Sequence, residues 1–128
     1  MDAQSEFIRY LNDQLRRWAP VEIKRMFGGH GIFRGGIMFG LIHAETLYLR
    51  SDEESRADFA ARGMGPFRYR RHGKIVALGY HQAPPEALDE SELLAEWADR
   101  AFAAALRRQA RKAPARKSKS ERGRSPRS

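Results

Sequence analysis

The chain has 128 residues, enough for one compact domain and too few for two of ordinary size, which excludes a multidomain enzyme. Lys and Arg number 24 against 16 Asp and Glu, but residues 1–106 hold 14 basic and 15 acidic side chains, so the excess of +8 lies in residues 107–128. Cysteine is absent, which excludes disulfides, thiol nucleophiles and thiolate metal sites. There is no run of about 18 apolar residues and no signal-peptide pattern at the start, so we expect a cytoplasmic protein.

The N-terminal segment has the apolar periodicity of an amphipathic helix. Large apolar residues recur at helical spacing from Phe7 to Trp18, and arginines with other polar residues occupy the remaining positions. Pro20 has no N–H to donate and disfavours helical geometry in the residue before it. We therefore predict a first helix over residues 2–19.

Residues 21–50 combine glycines with β-branched, aromatic and methionine residues, which is typical of short strands and hairpins. Gly35 and Gly36 can supply the positive φ angles of a tight two-residue turn. Connections this short permit only antiparallel pairing. We predict four strands, over residues 21–27, 30–34, 37–43 and 46–50.

The second half of the sequence contains a further hairpin between two helices. Ser51 and Glu54 have the spacing of a capping box, in which each side chain accepts an amide that a helix start leaves unpaired. Residues 67–71 and 74–80 have the composition of two strands around a tight turn. Apolar residues at helical spacing over residues 93–106 predict the last helix.

These elements run in the order α-β-β-β-β-α-β-β-α. The first and last helices carry the only apolar surfaces large enough to cover one side of a sheet. We therefore predict a two-layer α+β domain over residues 1–106. Its antiparallel sheet of about six short strands packs against the N- and C-terminal helices.

Residues 107–128, here called the basic segment, differ sharply from the rest in composition. They hold ten cations and one acid, and from Pro114 onward they contain no large apolar residue. A segment that buries no apolar surface cannot offset the entropy lost on ordering its backbone. We predict that the basic segment is disordered.

Two regions predict contact with nucleic acid. The basic segment attracts polyanions and gains free energy from counterion release, without reading base sequence. The hairpin over residues 67–80 interleaves arginines with Tyr69, a pattern that can contact phosphates and stack on bases, although charges also protect an edge strand from pairing. The predicted contact residues are Arg68, Arg70, Arg71, Lys74, Arg107, Arg108, Arg111, Lys112, Arg116, Lys117, Lys119, Arg122, Arg124 and Arg127.

The glycines of residues 28–36 raise the alternative of a small-ligand or nucleotide site, with His30 as the residue most suited to act in it. A dinucleotide fingerprint counted from Gly29 needs a glycine where Arg34 stands, and no glycine precedes Lys-Ser or Lys-Thr as in a P-loop. Turns and bulges between paired strands explain these glycines more simply. The four histidines lack the spacing of a metal site, and we predict no cofactor, no metal and no catalytic residue.

Four stretches of the sequence follow one another much as in the N-terminal domain of the TfoX/Sxy family: KRMFGGHGIFRGGIMFGLI, LYLRSDEESRADFAARGMGPFRYRR, GKIVALGYHQAPPEALDE and LLAEWADRAFAAA. The resemblance covers roughly residues 5–106. Its signature is distinctive and comprises Arg25, Met26, Phe27, Gly28, Gly29, Gly31 and Phe33.

The resemblance implies an α+β domain with an antiparallel sheet. Members that resemble the founding proteins regulate natural competence in bacteria, as coactivators with the cyclic-AMP receptor protein, and the family is not known for enzymes. Founding members continue into a second, helical domain, where this sequence has the basic segment. The resemblance implies no catalytic role for the signature residues.

Together these features predict a non-catalytic regulatory or adaptor protein, of the transcription or competence coactivator type. The folded domain is expected to bind a protein partner, such as the cyclic-AMP receptor protein or a second copy of this chain. The basic segment is expected to hold the complex at nucleic acid without sequence preference. No membrane contact is expected.

Overall fold

The computed structural model describes the backbone of residues 3–26 and 28–124. Side chains are described for these residues except 3–4, 69–71, 74–78 and 113–124. The elements, in chain order, are α1 (Ala3–Arg16), β1 (Glu22–Met26), β2 (Gly29–Arg34), β3 (Ile37–His43), β4 (Thr46–Arg50), α2 (Arg56–Ala61), β5 (Pro66–Arg71), β6 (Lys74–Gln82), a 3-10 turn (Pro85–Leu88) and α3 (Ser91–Arg124).

The six strands form one sheet in the order β1-β2-β3-β4-β6-β5, and every neighbouring pair is antiparallel. This confirms the predicted α+β class and the predicted order of elements. The two predicted tight turns are also present, because Gly35 and Gly36 have φ of +56° and +81°, and His72 and Gly73 have φ of +53° and +78°. Both residues of each turn thus have positive φ, as a two-residue hairpin connection with the twist of the strands requires.

One face of the sheet is covered by α1 and α3. Leu11 and Leu15 of α1 are fully buried, and α3 contributes Trp97 and a row of alanines that lets the helix approach the strands closely. Burial of these apolar surfaces supplies most of the favourable free energy of folding. On the other face, Leu41, Phe67 and Tyr80 form a smaller buried cluster. Among the described residues, no helix combines the length and the apolarity needed to cross a bilayer.

Phe39 occupies a bulge between β2 and β3. The register pairs Ile32 with Gly40 and Phe33 with Met38, which leaves Phe39 without an opposite residue. Its side chain is fully buried and meets Trp18 and Phe102 edge to face, at centroid distances of 5.3 and 6.0 Å. The extra residue of the bulge therefore turns an aromatic ring into the core, where it joins the turn after α1 to α3.

The start of α2 differs from the prediction. Ser51 caps no helix, and α2 begins only at Arg56. The reciprocal bonds that the capping box predicted for Ser51 and Glu54 occur one residue later instead. Ser55 donates its backbone N–H to Asp52 Oδ1 at 3.0 Å, and the Asp52 N–H donates to Ser55 Oγ at 3.1 Å. An aspartate accepts such a bond as well as a serine, so the sequence allowed both registers.

Helix α3 does not end near residue 106, where the sequence analysis placed the end of the domain. Residues 107–124 continue it, and Arg107 contacts the loop before α2. Residues 125–128, including Arg127 of the predicted contact set, lie outside the described residues.

Candidate functional site

A crevice opens at the end of the sheet where the β2–β3 turn lies. The β3–β4 ladder runs only from His43↔Thr46 to Gly40↔Leu49, so Ile37 and Arg50 lie beyond its last pair. The fourth and later turns of α3 pass over this end and form one wall of a partly open pocket of about 250 Å³. It is lined by Phe33, Gly36, Ile37, Met38, Arg50, Tyr80, Ala105, Arg108, Gln109 and Lys112. We call it the cationic pocket, because three of these residues are basic and none of these described residues is acidic.

Arg50 is held in place at the floor of the cationic pocket. Its guanidinium carbon lies 4.9 Å from the centre of the Tyr80 ring. A β-carbon on Gly79, the residue before Tyr80, would stand 3.3 Å from the same guanidinium, so the absence of a side chain there makes room for it. Burial raises the pKa of Tyr80, and the charge of Arg50 opposes the rise. The Tyr80 hydroxyl therefore stays protonated at neutral pH and remains a hydrogen-bond donor.

Arg107, one residue before Arg108, lies about 100° around α3 from it and is neutralised by carboxylates. Its Nε donates to Asp52 Oδ2 at 2.7 Å and its Nη2 to Asp52 Oδ1 at 3.1 Å, a bidentate pair, and Glu54 lies 3.3 Å away. The bond to Arg107 is the main reason that the pKa of Asp52 falls from 3.8 to about 2. This pair ties α3 to the loop before α2 and so fixes which side of the helix faces the cationic pocket.

The Asp52–Arg107 ion pair should make the stability of the domain depend on pH. The pKa of Asp52 is lower in the folded protein than in the unfolded chain. The Asp52 carboxylate therefore contributes its full stabilisation of the fold above about pH 4, and this contribution is lost as the pH falls towards 2. Asp52→Asn removes the charge but keeps an oxygen for the Ser55 amide. We expect it to lower the free energy of unfolding at pH 7 by about 1.5–3 kcal/mol. Urea unfolding at pH 7 and at pH 2.5 should show this deficit shrinking in acid.

The control is Asp58→Asn, which removes an exposed pair with Arg100 at 3.5 Å. Pairs of this kind contribute less than about 1 kcal/mol. Equal losses in the two variants, or a deficit for Asp52→Asn that does not change with pH, would contradict the role assigned to the Asp52–Arg107 pair.

Ser51 and His81 form a pair that the sequence analysis did not foresee. Ser51 Oγ lies 2.6 Å from His81 Nδ1, and the His81 ring stacks on Phe59 at 5.2 Å. Burial lowers the pKa of His81, and the charge of Arg56 adds to the effect. The Ser51 residue is only 4 % exposed. Ser51 directly follows β4, so the pair joins the end of β4 to β6.

The structure divides the predicted nucleic-acid residues among several places. Arg108 and Lys112 line the cationic pocket, Arg111 is exposed on the same helix, and Arg107 is engaged with Asp52. Arg68 is exposed on β5, at the opposite edge of the sheet from β1. The remaining predicted contacts have no described side chains, and these are Arg70, Arg71, Lys74, Arg116, Lys117, Lys119, Arg122, Arg124 and Arg127.

The signature residues serve the hairpins of β1, β2 and β3. Arg25 and Met26 are on β1, and Gly28 has a φ of +75° in the turn to β2. Gly29 and Gly31 lie on β2, where an added β-carbon would clash with the backbone of β3 and with neighbouring side chains, respectively. Phe33 lies at the far end of β2, in the cationic pocket. Phe27 lies outside the described residues.

The glycines of residues 28–36 do not form one ligand loop. Gly28 and the pair Gly35–Gly36 occupy turns at opposite ends of β2, about 20 Å apart for a six-residue strand. His30 lines a groove between α1 and β1, and its buried Nδ1 has no hydrogen-bond partner among the described residues. Within that part of the chain, no three His, Asp or Glu side chains come together as a metal site requires.

Comparison with known proteins agrees with this geometry. The family model described as TfoX N-terminal domain matches residues 13–105, which include all six strands and the part of α3 that packs on the sheet. Among curated proteins, none matches the sequence.

Proposed function

This chain belongs to the TfoX N-terminal domain family, and from that premise we propose that it is a regulatory module that holds a protein partner at nucleic acid. The family is not a known enzyme family, and its name supports a role in competence-type regulation. We propose further that the module is non-catalytic and works in the cytoplasm on transcription, with a transcription factor such as the cyclic-AMP receptor protein as its partner.

The observation that carries the nucleic-acid part of this proposal is the exposed cationic face of α3 just beyond the part of the helix that packs on the sheet. Arg108, Arg111 and Lys112 are all exposed. Their spacing of three and four residues puts them side by side on α3. Among the described residues, neither Arg108 nor Lys112 forms an ion pair with a carboxylate. These charges begin on a helix fixed to the domain and continue into residues 113–128, which carry six more cations.

Such an arrangement favours contact with phosphates over reading of bases. Long cationic side chains on a helix surface neutralise backbone phosphates and release counterions, and this contribution does not depend on base sequence. Specificity for a promoter then comes from the protein partner, and the module contributes affinity. This division of roles agrees with a chain whose residues 1–106 carry a net charge near zero, while the following 22 residues carry ten cations.

A full-length variant tests the contribution of the basic segment. Six substitutions to glutamine remove the cations after Lys112, at Arg116, Lys117, Lys119, Arg122, Arg124 and Arg127. We expect the wild type to bind duplex DNA without sequence preference, with a log–log salt slope of about −0.9 for each phosphate contacted. The variant should bind at least about tenfold more weakly at low salt and with a shallower slope, measured by fluorescence anisotropy.

The control is the double substitution of Arg17 and Arg56 to glutamine, at exposed positions distant in sequence from the basic segment. It should bind DNA almost as the wild type does. If the variant with six glutamine substitutions kept both the affinity and the salt slope of the wild type, the basic segment would have no part in nucleic-acid binding and the proposal would fail.

A further inference from the structure

The cationic pocket gathers positive charge at a fixed place on the folded domain. Arg50 comes from the end of β4, and Arg108 and Lys112 come from two successive turns of α3. None of the described residues that line the pocket is acidic, whereas Arg107, next to Arg108, faces Asp52 and Glu54. Cations collected in a concave site without carboxylates focus a positive potential on it and attract an anion.

The floor of the pocket is organised before any ligand arrives. Gly79 has a φ of +77°, a conformation that side chains rarely adopt, and its bare α-carbon lets the Arg50 guanidinium lie against the backbone. The Tyr80 ring supports the same guanidinium by a cation–π contact at 4.9 Å. The guanidinium is also hydrogen-bonded to the Tyr80 hydroxyl. Of its five N–H donors, two that point the same way can match two oxygens of a phosphate.

The size of the pocket limits what it can hold. Its volume of about 250 Å³ lies below the range of about 300–1,000 Å³ found for drug-sized ligands. A single phosphate group fits this volume, and the rest of a larger molecule would lie outside the pocket. We propose that the cationic pocket binds one phosphate group, through Arg50 at its floor and through Arg108 and Lys112 at its rim.

The phosphate can come from two sources, a small phosphorylated molecule or the backbone of nucleic acid. In the first case the inference is independent of the proposed function. In the second case the inference rests on the proposed function and deepens it, because the folded domain then binds one backbone phosphate of the nucleic acid at a fixed point. Arg50 lies outside the basic segment, so the variants that test this inference differ from those that test the proposed function.

The test compares thermal unfolding in sodium phosphate and in sodium chloride at equal ionic strength and pH. Arg50→Gln removes the charged guanidinium that lies against Gly79 and Tyr80 and keeps the aliphatic part of the side chain. At ten times the dissociation constant, inorganic phosphate should raise the midpoint for the wild type by about 4 °C more than for Arg50→Gln. Phosphate also stabilises proteins by exclusion from their surface, so the difference between the two proteins is the informative quantity.

Binding of duplex DNA distinguishes the two sources. If the pocket takes a backbone phosphate, Arg50→Gln should weaken DNA binding about three- to tenfold and reduce the magnitude of the salt slope by about 0.9. If it takes only a small phosphorylated molecule, DNA binding should not change while the phosphate-dependent thermal shift is lost. The variant with six glutamine substitutions in the basic segment should keep the phosphate-dependent thermal shift, even where its DNA binding is weakened.

Two further variants keep the test decisive. Arg108→Gln, at an exposed helix position, should lose the same effects and serves if Arg50→Gln fails to fold. Arg100→Gln, on the same helix but paired with Asp58, should behave as the wild type. If Arg50→Gln or Arg108→Gln folds and keeps both the wild-type thermal shift and the wild-type DNA affinity, the inference is overturned.

Discussion

Replacement of Gly29 by alanine is expected to destabilise the domain by about 3 kcal/mol, the upper end of ordinary overpacking costs. A β-carbon at this position would lie 2.3 Å from the carbonyl oxygen of Ile42 on β3. The carbonyl oxygen belongs to the backbone and a β-carbon is fixed directly to it, in paired strands where His30 and Ile42 are partners in the ladder, so neither atom can rotate away. The clash can be relieved only if β2 and β3 move apart, and that movement breaks hydrogen bonds that are otherwise satisfied.

The matched comparison is Gly31→Ala, two residues along the same strand. Its β-carbon would meet the Met26 sulfur at 2.5 Å, the Phe33 ring at 3.0 Å and the Met38 methyl at 3.3 Å. The two methionine contacts are with far ends of flexible side chains, which can rotate away, so we expect a loss of about 1 kcal/mol. Urea unfolding of the two variants measures the contrast. Equal losses would show that the approach of β2 to β3 is not what requires a glycine at position 29.

This contrast also bears on why these glycines belong to the family signature. The glycine-rich stretch invited the hypothesis of a loop that cradles a ligand, yet Gly29 faces a carbonyl oxygen of the neighbouring strand. Position 29 therefore requires glycine because two strands of the sheet approach each other closely there. A phosphate is instead accommodated, in our proposal, at the other end of β2, where the residues that surround it are cationic.

The fold was predictable because its signals are local. Alternation of apolar residues, positive-φ glycines at Gly35 and Gly36, and the amphipathic faces of α1 and α3 each act within a few residues. The position of β6 between β4 and β5 was not predictable in this way. Pairing of β4 with β6 joins Arg50 to Tyr80, 30 positions along the chain, and no local pattern encodes such a contact.

The same limit explains why the cationic pocket was missed. Arg50 at the end of a strand belongs to no sequence motif. Its proposed role depends on the space beside Gly79, which has no side chain, and on Arg108 and Lys112 of α3. Ser51 and His81 were likewise interpreted separately, as a helix cap and as an isolated histidine, although their side chains are 2.6 Å apart. These residues can be recognised as neighbours only when the pairing of β4 with β6 is known.

The end of α3 shows a different limit. The loss of large apolar residues after Leu106 predicted the end of the folded domain. Residues 107–112 remain helical because arginine, glutamine, lysine and alanine are good helix formers, and a helix already packed on the sheet needs no new nucleus to extend. The Asp52–Arg107 pair then holds this extension against the domain.

Phe39→Ala is expected to cost about 3–5 kcal/mol, because the ring is fully buried and its removal leaves a cavity that a bulge in a paired sheet cannot close. The loss includes two edge-to-face contacts, with Trp18 and Phe102. Arg34, whose guanidinium lies 4.6 Å from both of those rings, covers the same cluster from outside. Urea unfolding followed by Trp fluorescence measures the effect, since Trp18 borders the cavity.

Phe39→Leu refills part of the space and should recover at least half of the loss, whereas a purely aromatic requirement would leave both variants equally unstable. Phe102→Ala, at a half-buried position in the same cluster, should cost less than Phe39→Ala. The reverse ranking would mean that the cluster is held by α3 and that the bulge is incidental. The predicted ranking instead makes the bulge the point at which the sheet fixes α3, and with it the cations that α3 brings to the pocket.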